Sequence, residues 1–411
     1  MVNQNLKTQL SQLLNSLCFA LDIAENRYFN HSRRTAYIAY NIAKEMGLNK
    51  DDVANTYFAS LIHDIGMAGH LARYTIMDIH KYMTLKKEHC HYGYEILASL
   101  PIDKNIKDYV LYHHEQWDGL GPYGLKGDEI PLVSQIIHIA DFFEIYYLRK
   151  LEATGDDQNL NTIDSAKIWI SKYANNLFKK DLCDTFISLL DKEKFWFDLN
   201  FRNIEQVLEL IEPVEDVYID MDDLYKISET FSKLIDYKSK FTYEHSQGIS
   251  NIAHYFATFL GYDLLMVNKL TIAANLHDIG KMVVPLSILE KPGKLTQAEF
   301  QIIKSHPYYT KLILKQIEGI EDIAEWAGNH HEKLNGRGYP EKLNGSRISR
   351  EDEIIAIADI YQALTEDRPY RKGLEPLTAI NKMIEMANRG ELSKEIINDF
   401  KHFICNSEVL V

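Results

Sequence analysis

The chain repeats itself, and no other feature of its 411 residues constrains the fold as tightly. His31 and His245 each open a His-Ser pair, and each is followed 32 residues later by a His-Asp-Ile tract, His63-Asp64-Ile65 and His277-Asp278-Ile279. A further histidine comes next in each half, His89 and His306. Another 24 residues on stands a His-His-Glu triplet, His113-His114-Glu115 and His330-His331-Glu332. Ile-Ala-Asp tracts close the two series at Asp141 and Asp359. The copies lie 214 residues apart at the first histidine and 218 at the last aspartate, a drift that small loop insertions explain. Asp22 and Asp236, and Gly47 and Gly261, keep the offset of 214. Self-similarity of this kind marks a duplicated domain.

The length suffices for two domains of about 200 residues, each burying its own core. An acidic stretch at 212–222, EPVEDVYIDMD, separates the copies, which gives domains at 1–215 and 216–411. Between the motifs the chain reads as helix. DEIIAIADIYQALT (352–365) carries an apolar stripe at about 3.6-residue spacing. Thr296 and Glu299 form a capping-box signature for a helix predicted to carry His306. Strand patterns are scarce, and a small hairpin is expected only in the glycine-rich stretch NGRGYPEKLNG (335–345). The pattern predicts an all-α fold of two helical bundles in tandem.

Charge and composition exclude several roles. A net charge of −14 argues against DNA or RNA as a partner, since phosphate backbones select a basic surface. No uncharged apolar run approaches the ~20 residues of a membrane span. The polar, periodic start MVNQNLKTQLSQLLNSL has no signal-peptide pattern. The four cysteines, Cys18, Cys90, Cys183 and Cys405, are scattered without a CxxC pair and read as reduced thiols, which together predict a cytoplasmic protein.

Ten of the 16 histidines fall on the repeated positions, which turns attention from packing to metal. Asp278 and Asp359 lie in apolar tracts, where an uncompensated carboxylate is costly to bury. A cation beside each resolves the cost. Five histidines and two aspartates per half offer mixed nitrogen and oxygen donors, suited to Fe, Mn, Co, Ni or Zn rather than Ca or Mg. Seven side chains exceed the needs of one ion that keeps an open position. Two divalent ions bridged by a carboxylate and a water fit better. Ions about 3.5–4 Å apart can generate a hydroxide near neutral pH and clamp both oxygens of a phosphoryl displacement.

The second half resembles the HD-GYP family of cyclic-dinucleotide phosphodiesterases, a branch of the HD metal-dependent phosphohydrolases. It carries HDIGK (277–281), HPYYTKLIL (306–314), HHEKLNGRGYP (330–340) and DIYQALTEDRPYR (359–371). The resemblance implies metal ligation by His245, His277, Asp278, His306, His330, His331 and Asp359, with Asp278 bridging the two ions. It implies that Asp278 and Lys281 carry the chemistry. Lys281, Arg368 and Arg371 would hold the substrate phosphates, and Tyr339 would help shape the base pocket. Phe241 stands where some members carry a glutamate for a third ion, so two metals are expected. Asn335 replaces a usual aspartate, at what reads as a turn position. The implied reaction is hydrolysis of cyclic di-GMP or 3′,3′-cyclic GMP-AMP to a linear dinucleotide by a bimetal-bound hydroxide. Two other classes compete: a phosphohydrolase of another nucleotide, and a non-catalytic cyclic-dinucleotide receptor or interaction protein.

The first half is HD-like but lacks the name motif. It keeps a possible second metal site in His31, His63, Asp64, His89, His113, His114 and Asp141. Met67 replaces the lysine, GPYG (121–124) stands in place of GYP, and DFFEIYYLRKLEA replaces RPYR. The expectation is two tandem HD-type bundles, the first non-catalytic or regulatory, in a chain that can form a homodimer. His70, His80, His91, His138, His254 and His402 fall outside the repeat and are expected at the surface or in packing.

Overall fold

The computed structural model describes residues 8–24, 30–148, 161–200, 203–213, 218–238, 245–367 and 372–406. Arg368, Arg371 and Phe241 lie outside the described residues. The chain divides into two compact units. One comprises Leu13–Met67 and Leu71–Val217; the other comprises Met1–Gln12, Ala68–His70 and Tyr218–Val411. The first residues group with the second half because Thr8–Gln9 pairs antiparallel with Tyr218–Ile219.

The fold is all-α, and the two units repeat one packing scheme. In the first, the helix His31–Glu45 packs against Lys50–Leu61 and Leu132–Phe143. In the second, His245–Phe259 packs against Leu264–Leu276 and Arg350–Thr365 in the same way. Each His-Asp-Ile tract leads into a 3-10 turn, Ile65–Met67 or Ile279–Val283, that lies on the helix opened by or holding the third histidine. The glycine of this turn is forced. A Cβ on Gly66 would stand 2.0 Å from the carbonyl oxygen of His89, and one on Gly280 would stand 1.9 Å from that of His306. Only a bare backbone lets the turn approach the helix this closely.

Two local expectations need correction. The Thr296–Glu299 capping box forms, but its helix is Gln297–Ile303 and does not carry His306. His306 instead opens the next helix, His306–Leu314, because Pro307 has no N–H to continue the earlier ladder and suits a first turn. The hairpin at 335–345 reduces to one bridge between Asn335 and Asn344. The backbone N–H groups of Glu341, Lys342 and Leu343 that a ladder could use donate instead to the Glu332 carboxylate, at 2.6, 3.1 and 2.9 Å.

Candidate metal centre

The second unit gathers the seven expected ligands from five places, with Asp278 and His331 directly following His277 and His330. His245 and His306 open helices, His277 and His330 cap the ends of Leu264–Leu276 and Glu321–Asn329, and Asp359 lies within Arg350–Thr365. Three of the histidines bind the carbonyl three residues back through Nδ1: His277 to Ala274 (2.7 Å), His306 to Ile303 (2.7 Å) and His330 to Ala327 (2.6 Å). A carbonyl oxygen only accepts, so each Nδ1 carries a proton, and a neutral ring held this way turns its Nε2 lone pair inward. His306 Nε2 and His330 Nε2 then face each other 3.2 Å apart. Two lone pairs at that distance repel unless an electrophile lies between them.

The carboxylates complete this arrangement. Asp278 Oδ2 lies 3.2 Å from His277 Nε2, and its Oδ1 lies 3.3 Å from His306 Nε2. Asp278 thus touches both groups of rings, as a bridging ligand must. Asp359 lies 3.3 Å from His245 Nε2 and 3.9 Å from His331 Nδ1. Buried, unshared His277 Nε2 and Asp278 Oδ1 have no hydrogen-bond partner, so the donor set fits transition-metal ions by chemistry and by need. Burial depresses His306 to about 3 and His330 to about 4, which keeps both rings neutral and available as ligands. His245 moves the other way, up to about 9: burial opposes its charge, but hydrogen bonds to Asp359 and Glu366 outweigh it.

Around the ligands stand residues that the repeat alone did not assign. Glu366 holds His245 Nδ1 at 3.0 Å, orienting the ring from outside the centre. It lies seven residues beyond Asp359, so helical spacing was a usable signal. Lys281 pairs with Asp278, and the buried Lys238 donates to the carbonyls of Lys281 (3.2 Å) and Met282, fixing the turn that carries Lys281. Burial lowers Lys238 to about 7. Glu332 is no ligand: its carboxylate cradles the loop that presents Tyr339. The Tyr339 ring lies 4.8 Å from that of His331, with Lys304 Nζ 5.0 Å from its centroid.

The first unit also brings its expected ligands together. Asp64 lies 3.3 Å from His31 Nε2, 3.4 Å from His63 Nε2 and 3.3 Å from His89 Nε2. Asp141 lies 3.5 Å from His31 and 3.7 Å from His63. His89 Nε2 and His113 Nε2 stand 3.2 Å apart, repeating the opposed rings of the second unit. His63 and His113 bind the carbonyls of Ser60 (2.8 Å) and Val110 (2.6 Å). Glu144, three residues after Asp141, accepts from His31 Nδ1 at 2.6 Å and pairs with Arg34 at 3.0 Å. Glu115 cradles its loop through the N–H groups of Tyr123 and Leu125, each at 2.6 Å. His80 sits in this cluster and not at the surface, 3.3 Å from Asp141. His138 is buried in packing, bound to the Glu115 carbonyl at 2.8 Å, and His91 is exposed beside Glu95.

HD-domain family profiles match residues 28–145 and, separately, 229–395. The chain is similar to the 3′3′-cGAMP-specific phosphodiesterase 1 of Vibrio cholerae serotype O1, at 32% identity over 401 residues covering 97% of this chain and 92% of the relative. A cyclic di-GMP phosphodiesterase of Pseudomonas aeruginosa is 38% identical over 149 residues, 36% of either chain. The crystal structure of a cyclic GMP-AMP-specific phosphodiesterase of Vibrio cholerae covers 98% of both chains with a TM-score of 0.69 at 26% identity. Likeness along nearly the whole length, in sequence and in fold, makes this chain a member of the HD-GYP phosphodiesterases in their tandem HD-domain form.

Proposed function

We propose that the chain opens 3′,3′-cyclic GMP-AMP to a linear dinucleotide, and that the second unit alone does the chemistry. The observation that carries the catalytic part is the opposed pair His306 and His330 with Asp278 reaching toward both ligand groups, a geometry that asks for two cations. Fe, Mn, Ni or Co suits this donor set. When bound, such ions supply an activated water and offset the charge that develops on the phosphate. The chain's own residues do the rest. Lys281, Arg368 and Arg371 pair with phosphate oxygens, and Tyr339, held against His331, offers a face to a base. Lys238 and Glu332 act one step back, fixing the turn of Lys281 and the loop of Tyr339.

The choice of substrate follows the extent of similarity. The cGAMP-specific relative aligns through both HD domains, whereas the cyclic di-GMP enzyme of Pseudomonas aeruginosa aligns over about a third of the chain. Such a role belongs in the cytoplasm, with the cyclic dinucleotide rather than DNA or RNA as ligand. Among the described residues no helix is long and apolar enough to cross a membrane. The test is incubation of metal-loaded protein with cyclic di-GMP and each cyclic GMP-AMP isomer, followed by chromatography. The 3′,3′ isomer should be turned over fastest, yielding a linear product. Faster turnover of cyclic di-GMP would refute the substrate assignment, and no turnover of any of them would refute the catalytic one.

A further inference from the structure

We propose that the first unit holds transition-metal ions in a closed, structural site, in which His80 supplies a ligand beyond those of the repeat and fills the position a substrate would need. His80 has no counterpart among the repeated histidines. It is buried, and neither ring nitrogen has a hydrogen-bond partner among the described residues. Its Nε2 stands 3.3 Å from Asp141 Oδ2, and its ring lies 4.8 Å from that of His114, whose own two nitrogens are likewise without hydrogen bonds. His80, His114 and Asp141 place one donor atom each within 4.8 Å of one another, a spacing that one ion can close. Buried nitrogens left unsatisfied are costly, and a cation shared by one nitrogen of each ring removes that cost for the two that bind it.

The location of His80 matters as much as its chemistry. In the second unit the centre opens to solvent at His331 and Asp359, whose side chains are 28% and 12% exposed, and Tyr339 stands at that opening. The corresponding residues of the first unit are His114 and Asp141, both fully buried. They are the two that His80 touches. His80 arrives there on the short helix Ile76–Lys81, started by a Thr75–Asp78 capping box. Ile76, Ile79 and His80 occupy one face at i, i+3 and i+4, while Met77 and Lys81 face solvent. Ile76 and Ile79 pack with Met67 and Ile145, backed by Leu85 and Tyr146. Met67 is the residue that replaces Lys281, so an apolar plug covers the place where the second unit keeps its phosphate-binding lysine. An ion centre with protein donors on every side is the pattern of a structural site, whereas a catalytic one keeps a position for water.

The inference stands on the first unit and holds whichever dinucleotide the second unit takes, so its tests read metal rather than turnover. In full-length His277→Ala, Asp278→Ala protein, which dismantles the second centre, at least about one ion per chain should remain, and chelation should lower the melting temperature. Adding His80→Ala should weaken Zn²⁺ binding at least about tenfold in chelator competition. A folded double variant that retains no metal, or an unchanged Zn²⁺ affinity on loss of His80, overturns the proposal. Crystals of the wild-type protein loaded with Zn²⁺ give a check free of folding effects. Anomalous density should lie about 2.1 Å from a ring nitrogen of His80. Density in the second centre with none beside His80 overturns it equally.

Discussion

Asp278 is the residue on which the second centre depends most directly. Its two oxygens reach His277 on one side and His306 on the other, and Lys281 completes its contacts. The carboxylate between the two groups of rings supplies the negative charge that draws cations into a buried place. Asp278→Asn keeps the shape and removes that charge. Turnover should fall at least ~10³-fold, on the scale of losing a principal electrostatic stabiliser, and bound metal should fall with it. Kinetics paired with metal analysis checks this, and activity in a variant shown to lack metal would rule out the mechanism. His306 and His330 show why a single side chain seldom makes such a site. Each ring is locked by one carbonyl three residues back, so the backbone at a helix boundary decides where the lone pair points.

At the scale of elements, the ligands cluster where helices begin and end, because those positions leave backbone groups free to orient side chains. The loop after the His-His-Glu triplet follows a different logic. It is short of regular structure and is held instead by one carboxylate, Glu332. Gly338 lets the loop pass beside it: a Cβ there would stand 2.5 Å from both Glu332 Cα and Lys333 N. Both neighbours are backbone, so Gly338→Ala must displace the loop and carry Tyr339 away from His331. The expected cost is on the order of 10²-fold in kcat/KM, the scale of a substrate group misplaced by about 1 Å, with metal content retained. Loss of metal in that variant would show that the loop supports the ligands rather than the substrate. The same close approach recurs at Gly121 beside Glu115, so the first unit keeps the loop's scaffold while placing Pro122 where the second has Tyr339.

For the whole molecule, the two units share a ligand plan and differ in access. His63→Ala with Asp64→Ala should leave at least about a third of the activity, whereas His277→Ala with Asp278→Ala should leave none, because positioning of the substrate is lost with the second centre. Equal loss in a first-unit variant that keeps its circular dichroism would contradict a division of labour. Acidity acts on both units at once. Burial holds His138 and His306 down to about 3 and His80, His89 and His330 down to about 4, and lowers His113, His114 and His331 as well. Unfolding lets each take up a proton below about 6.5, so between about 6.5 and 4 the unfolded chain binds more protons than the native one. Stability of metal-free protein should therefore fall as pH drops through that window. The raised carboxyls of Asp22, Glu115, Asp236, Asp352 and Glu353 and the raised histidines His63, His245 and His277 act in the opposite sense, but below about 6.5 the three histidines are charged in the unfolded chain as well, so most of the window belongs to the eight depressed ones. Denaturant unfolding of chelator-treated protein at pH 7 and pH 5 measures the difference; equal stability at the two would refute it.

The duplication, the all-α class and the histidines and aspartates that each unit brings together were legible in one dimension, since identical short tracts recur in order and residues on one helix face announce themselves by spacing. The capping box at Thr296 was legible for the same reason, being a local pattern. What surrounds the ligands was not. Glu332 became a loop anchor rather than a ligand or a strand neighbour, and Lys238 reached carbonyls more than forty residues away. His80 read as an ordinary histidine until the packing of Ile76 and Ile79 against Met67 and Ile145 carried it onto Asp141. Spacing along a helix reports which residues share a face. Whether that face opens to water or is sealed by a segment from elsewhere depends on contacts between distant parts of the chain, and only the tertiary structure decides those.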